Sequence, residues 1–317
     1  MFYINLLLNL DCTKVLNIFD MCKPFLIFSY LCTPAMSKTK HHKSLKAKGQ
    51  KRSGGLKPWS ALHFFGKVWR VLWVAILALW LVTLLQVFLG WFINPPLTPL
   101  MVQRFGQQLF DKDREVRFER DYVPLDNISN NLVSAVVYAE DGLFMYHHGF
   151  DVKQMKQAYR ENKSGRRIRG GSTISNQTAK NAFLPHSRTM VRKAFEAYYT
   201  VMIEAVWGKR RIMEVYLNII EFGDGIYGAE AAAQHYFGHS AKRLTKTEAA
   251  QLAATLPAPL KRNPAHQTPF YRKQVSAIKG RFSWGAVDID MPKEKRKERY
   301  KDRETLVEFL IWRMKQD

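Results

Sequence analysis

The chain's 317 residues carry 49 Lys and Arg against 27 Asp and Glu, a formal net charge of +22, and 47% of them are hydrophobic. That is enough apolar material for a sizeable core, and the length allows one catalytic domain with appendages or two small domains. So basic a balance calls for an anionic partner such as nucleic acid, anionic lipid or a phosphorylated substrate, while Cys12, Cys22 and Cys32 stand at no zinc spacing and exclude a metal site built on them.

Residues 1–35 are apolar, but Asp11, Lys14, Asp20 and Lys23 interrupt each run before it reaches the roughly 20 residues that span a bilayer. We read them as an atypical leader or an over-extended reading frame, with Met36 as the true start. Residues 36–70 are a basic tail without Asp or Glu. Residues 71–92 carry no charge and hold Trp73 and Trp91 near their ends, the pattern of a transmembrane helix with interfacial aromatics. A basic tail before the span places the N-terminus in the cytoplasm and the rest of the chain outside it, which favours a topogenic tail over a nucleic-acid-binding one. Asn94-Pro95-Pro96 ends the helix. Residues 93–121 read as a membrane-proximal linker, with helical apolar spacing from Leu97 to Leu109 and alternating charge from Asp111 to Asp121. Residues 122–287 are helical in pattern, with no period-two strand. Residues 288–317 form a charged C-terminal extension in which apolar periodicity returns at Leu306, Phe309, Leu310 and Trp312.

Within 122–287, the apolar run from Leu132 to Ala139 predicts a buried helix that ends in Glu140 and Asp141. Two carboxylates there are costly to desolvate unless something uses or pairs them. Phe144, Met145 and Tyr146 add an apolar lining, which is how a general base of raised pKa would be built. A solvated acidic pair at a helix end accounts for the same residues equally well. Lys153 to Gly171 is dense in cations and glycine and reads as a loop. Ser172 or Thr173 then caps a new helix, whose N-terminus among cations suits an anion. Met190 to Trp207 is an amphipathic helix with Arg192, Lys193 and Glu196 at helical spacing, by itself an ordinary surface pairing. A further helix runs from Lys209 to Ile220 and ends near Gly223-Asp224-Gly225. Gly228 to Phe237 is Ala-rich and reads as core. Thr245 and Glu248 form a capping box for a helix through Leu256, which Pro257 and Pro259 end.

Four blocks recur in a fixed order: Glu140-Asp141-Gly142-Leu143-Phe144; Gly170-Gly171-Ser172-Thr173-Ile174-Ser175-Asn176-Gln177-Thr178-Ala179-Lys180-Asn181; Arg192-Lys193-Ala194-Phe195-Glu196; and Lys209 through Asn218. Together they resemble the peptidoglycan glycosyltransferases, lysozyme-like enzymes that polymerise lipid II, in their monofunctional form. The resemblance covers the chain from Arg104 to Phe270. It implies an all-α, lysozyme-like glycosyltransferase domain behind a single N-terminal transmembrane helix, in the inner membrane with the domain in the periplasm. It implies that Glu140 is the general base and that Glu196 is a second catalytic carboxylate near the leaving group or a divalent cation, Mg²⁺ or Mn²⁺. Lys180, Arg192 and Lys193 would hold pyrophosphate, and Ser172, Thr173 and Gln177 would line the substrate site. Asp141 and Phe144 would complete the substrate-binding set around the first block, and Glu214 would orient the cleft. No protein-held metal is among the expected site groups. The partners implied are lipid II, the growing lipid-linked glycan, membrane lipid and other cell-wall synthesis proteins, with no nucleic acid.

Two positions depart from the family pattern. Asn176 stands where Gln is usual, keeping an amide but losing reach. Gly142 stands where a basic residue is common, which removes a phosphate contact or an ion pair with Asp141. A lysozyme-like hydrolase would use the same two carboxylates, but a neutral glycan needs no cluster of cations. A non-catalytic membrane scaffold is the third reading.

Overall fold

The computed structural model describes residues 58–111, 115–165, 170–187, 189–292, 295 and 306–315. The expected leader and most of the basic tail therefore lie outside the described residues. The chain divides into two units, residues 1–78 and 79–317. The described part of the first is the opening of helix α1 (Pro58–Phe92). Its stretch Gly66–Phe92 is long and apolar enough to cross a membrane, starting upstream of the expected 71–92. Every side chain from Gly66 to Leu79 is exposed.

In the second unit, the end of α1 lies against later helices. Tyr199 donates to Gln86 Oε1 at 2.8 Å, the Trp207 indole donates to the Val87 carbonyl at 2.7 Å, and Arg211 donates to the Gly90 carbonyl at 2.9 Å. A side chain at Gly90 would have its Cβ 2.7 Å from the Trp207 ring, so only glycine admits this approach. The helical apolar spacing of the membrane-proximal stretch corresponds to a helix. Helix α2 (Pro99–Phe110) is capped by Thr98 and buries Leu100, Met101 and Gln108.

The core surrounds helix α3 (Asn130–Glu140), in which seven consecutive side chains, Leu132 to Tyr138, are buried. Around it come α4 (Val152–Lys163), α5 (Ile174–Phe183), α6 (Met190–Val206), α7 (Gly208–Ile219), α8 (Ala229–Phe237), α9 (Lys246–Thr255), α10 (Pro269–Arg281) and α11 (Leu306–Met314). Ala249, Ala250 and Ala253 of α9 are fully buried, small residues at a close helix contact. The capping box is present: Glu248 N–H donates to Thr245 Oγ1 at 3.3 Å, and Thr245 N–H donates to Glu248 Oε2 at 2.9 Å.

A few short strands accompany the helices. A small sheet of order β1-β3-β2 joins β1 (Glu119–Arg120) in parallel to β3 (Ile226–Tyr227), with β2 (Glu221–Gly223) antiparallel to β3. Strands of two or three residues are too short to show a period of two. The turn between β2 and β3 needs Gly225, at φ +76°, where a Cβ would stand 2.1 Å from the Arg117 carbonyl oxygen. The domain remains mainly helical, as expected.

Candidate active site

Helix α3 delivers Glu140 half-buried at its last turn. Gln177, one turn into α5, donates its amide to Glu140 Oε2 at 2.7 Å. The other end of that amide accepts from the fully buried Tyr216 hydroxyl of α7 at 3.2 Å. An ionised carboxylate can only accept, so the Gln177 Nε2 faces Glu140 and its Oε1 faces the Tyr216 hydroxyl. Burial pushes the Glu140 pKa up, and the neighbouring Asp141 charge adds to this. The Gln177 hydrogen bond and the Arg262 and Lys180 charges act in the opposite direction without cancelling it.

Asp141 points the other way. Both of its oxygens lie 2.9 Å from His147 Nε2, and Oδ2 also accepts from the Ile174 N–H at 2.9 Å. His147 Nδ1 accepts from the Gly149 N–H at 3.1 Å, so the ring proton sits on Nε2 and is donated to Asp141. This knot ties the turn after α3 to the first residue of α5. Thr173 strengthens it, capping α5 through the Asn176 N–H at 3.1 Å and donating to the Gly149 carbonyl at 2.6 Å. Gly149 is required there: its φ is +90°, and a Cβ would lie 2.8 Å from Thr200 Cγ2.

Phe144 is fully buried beneath Lys209, whose Nζ stands 4.5 Å from the ring centroid and 2.6 Å from Glu204 Oε1. Asp141, Phe144 and Thr173 were expected among the substrate-binding residues. They are buried instead in the packing behind Glu140, because each is consumed by partners from α5, α6 or α7. Ser172, next to Thr173, is exposed. Glu214 accepts from the Tyr122 hydroxyl at 2.8 Å and the Leu125 N–H at 3.0 Å, so it is held by groups of the chain itself.

The second carboxylate, Glu196, is 3% exposed. Arg192 donates to its Oε2 at 2.5 Å, and Lys193 bonds its Oε1. Burial lowers the Lys180 pKa. Of the charges acting on Lys180, Glu196 is the strongest and Glu140 the weakest, with Arg192 and Lys193 between. Among the described residues no group of three or more His, Cys, Asp or Glu side chains could hold a metal ion, and both Glu196 oxygens are already bonded to cations.

An open cleft of about 320 Å³ lies beside these groups, shared by Gln177 and Lys180 with Arg104 of α2, Glu221 and the turn Leu256–Lys261. Arg104 is held by Glu221 at 3.3 Å. Arg262, next to the cleft turn, is fixed by the Ala254 carbonyl at 2.9 Å and lies 5.3 Å over the Phe270 ring. Arg104, Lys261 and Arg262 escaped sequence reasoning because each stands outside the four blocks. Tyr216 and His147 carried a signal, since they sit within or beside them. Asn176 is 3% exposed, and its Oδ1 meets no hydrogen-bond partner among the described residues. A side chain at Gly142 would meet open space. The Asp141 partner is His147, so a basic residue at position 142 is not needed to satisfy it.

A family model described as Transglycosylase matches residues 107–282. The chain belongs to the transglycosylase family. Three relatives called biosynthetic peptidoglycan transglycosylase resemble this transglycosylase over most of their own length. The Caulobacter vibrioides protein is 53% identical over 198 residues, 61% of this chain and 82% of its own. The Aeromonas hydrophila protein is 44% identical over 204 residues, 64% and 86%. The Xylella fastidiosa protein is 43% identical over 225 residues, 70% and 93%. The transglycosylase is thus a peptidoglycan glycosyltransferase, and its helix α1 fits a membrane anchor.

Proposed function

We propose that this transglycosylase polymerises lipid II, with Glu140 as the base and the Lys180–Arg192–Lys193 cluster at the leaving pyrophosphate. The acceptor sugar's 4-hydroxyl attacks carbon one of the lipid-linked donor glycan. Its proton passes to Glu140, the bond from carbon one to the pyrophosphate oxygen breaks, and the pyrophosphate leaves with the electron pair. A β-1,4 link forms with inversion. The observation that carries this reading is the separation of environments: a desolvated carboxylate of raised pKa at Glu140, and cations gathered on Glu196. A base needs the first; charge developing on a leaving group needs the second. Arg192 Nε is buried and bonds to nothing among the described residues, which supports a donor kept for a phosphate oxygen.

The carboxylate set does not fit a resident divalent cation. Mg²⁺ or Mn²⁺ at this end would take its ligands from the pyrophosphate, and no step is routed through it. The charge pattern supports a cytoplasmic N-terminus and a periplasmic domain on the inner membrane, where other cell-wall synthesis proteins would meet it. The cations weigh against a hydrolase of neutral glycan. Lipid II polymerisation by the purified protein tests the reading. Glu140→Gln keeps size and hydrogen bonding and should cost on the order of 10²–10⁴ in rate; near-normal polymer from that variant would overturn the assignment.

A further inference from the structure

Helix α11 lies beyond the family match and docks on α4. Phe309 is 7% exposed, and the Trp312 and Tyr159 rings meet edge to face with centroids 5.5 Å apart. Lys156 and Arg160 of α4 each stand 5.4 Å from the Trp312 ring centroid, and Arg313 stands 5.7 Å from that of Tyr159. Aromatic contact and cation–π attraction thus hold the two helices together. A helix turns about 100° per residue, so Phe309, Trp312 and Arg313 share the docked face. Leu310, Ile311 and Met314 share the opposite one, and they are 47%, 45% and 71% exposed.

Three large apolar side chains on one outward face are unfavourable in water. Their surroundings say what covers them. From Val152 to Lys163 and from Leu306 to Lys315, six Lys and Arg face two Glu, a net charge of +4. An apolar strip on a helix pair of net positive charge matches an anionic lipid surface, with the strip in the acyl boundary and the cations drawn to the phosphates. The same chain carries a helix long and apolar enough to hold it at a bilayer. We propose that α11, braced on α4, is an interfacial helix whose Leu310–Ile311–Met314 face inserts into an anionic membrane surface.

The test uses the full chain with Cys12, Cys22 and Cys32 replaced by Ser and a polarity-sensitive label at Leu310→Cys or Met314→Cys. The protein is reconstituted in nanodiscs of phosphatidylcholine alone, or of equal parts phosphatidylcholine and phosphatidylglycerol. Both labels should report a lipid environment with phosphatidylglycerol and a wetter one without it. Replacing Lys153 and Lys315 by Gln, which leaves the ring contacts intact, should shift the partition toward water by roughly 25-fold, about fivefold per cation. Labels that report water in both bilayers overturn the proposal, whether the face is bare or taken by a protein. Equal immersion in the two lipids overturns the preference for anionic lipid. The readout is label environment, so it is independent of the polymerase reading.

Discussion

Replacing Gln177 by Met removes the hydrogen bond that its amide donates to Glu140 Oε2, at 2.7 Å. A hydrogen bond to a charged group is worth about 1.5–3 kcal/mol, so losing it favours the protonated carboxyl by about 10- to 150-fold. Burial has already pushed the Glu140 pKa up, and the change adds in the same direction. The acid limb of the polymerisation rate should therefore move to higher pH. Stability should follow with a definite sign. A carboxyl whose folded pKa lies above its unfolded value loses stability as pH rises from the unfolded pKa through the folded one. The variant should thus melt lower than the parent by roughly 3–12 °C at neutral pH. That gap should shrink as pH falls into the range where Glu140 is protonated in both. Part of the loss will be independent of pH, since the buried Tyr216 hydroxyl also loses its acceptor. Adding Tyr216→Phe to the Gln177→Met variant removes that part, because the hydroxyl left without an acceptor is then gone. The assays are a pH–rate profile on lipid II and thermal unfolding in detergent at several pH values. An unmoved acid limb together with a melting difference that is flat in pH would refute the reasoning.

Asp141→Asn should do the reverse to the rate profile, since the Asp141 charge raises the Glu140 pKa. The acid limb moves to lower pH, while the misdirected amide opposite the His147 and Ile174 donors costs about 1–3 kcal/mol of stability, read by thermal unfolding. Lys180→Ala should lower turnover by about 10²–10³-fold, the scale of one lost charge-stabilising group. Added Mg²⁺ should recover more of its activity than that of Glu140→Gln; equal recovery would take Lys180 out of the leaving-group end. Gly225→Ala forces a left-handed alanine, costing at least about 1–2 kcal/mol, and drives its Cβ into the Arg117 carbonyl. A melting temperature within a degree of the parent would show that the β2–β3 turn does not constrain this position.

Some of this protein was legible from local sequence because local physics determines it. A charge-free run of bilayer length fits a membrane anchor by its own composition, and Thr245 with Glu248 closes a capping box within one turn. The groups proposed to carry the charge chemistry, Glu140, Glu196, Lys180 and Arg192, were recognisable as blocks, with Glu140 bonded to Gln177 and Glu196 to Arg192 and Lys193. Side-chain direction was not legible. Glu140 and Asp141 are neighbours, yet one faces Gln177 and the other is consumed by His147 and the start of α5. Phe144, expected at the substrate, lies beneath Lys209. The sheet escaped notice because its strands exist only through pairing between residues 119–120 and 226–227. Arg104 reaches the cleft only because Glu221, 117 positions away, holds it there. Periodicity and capping are set within a few residues, whereas burial, hydrogen-bond direction and the charges that surround a carboxylate depend on partners that only the folded chain brings within reach.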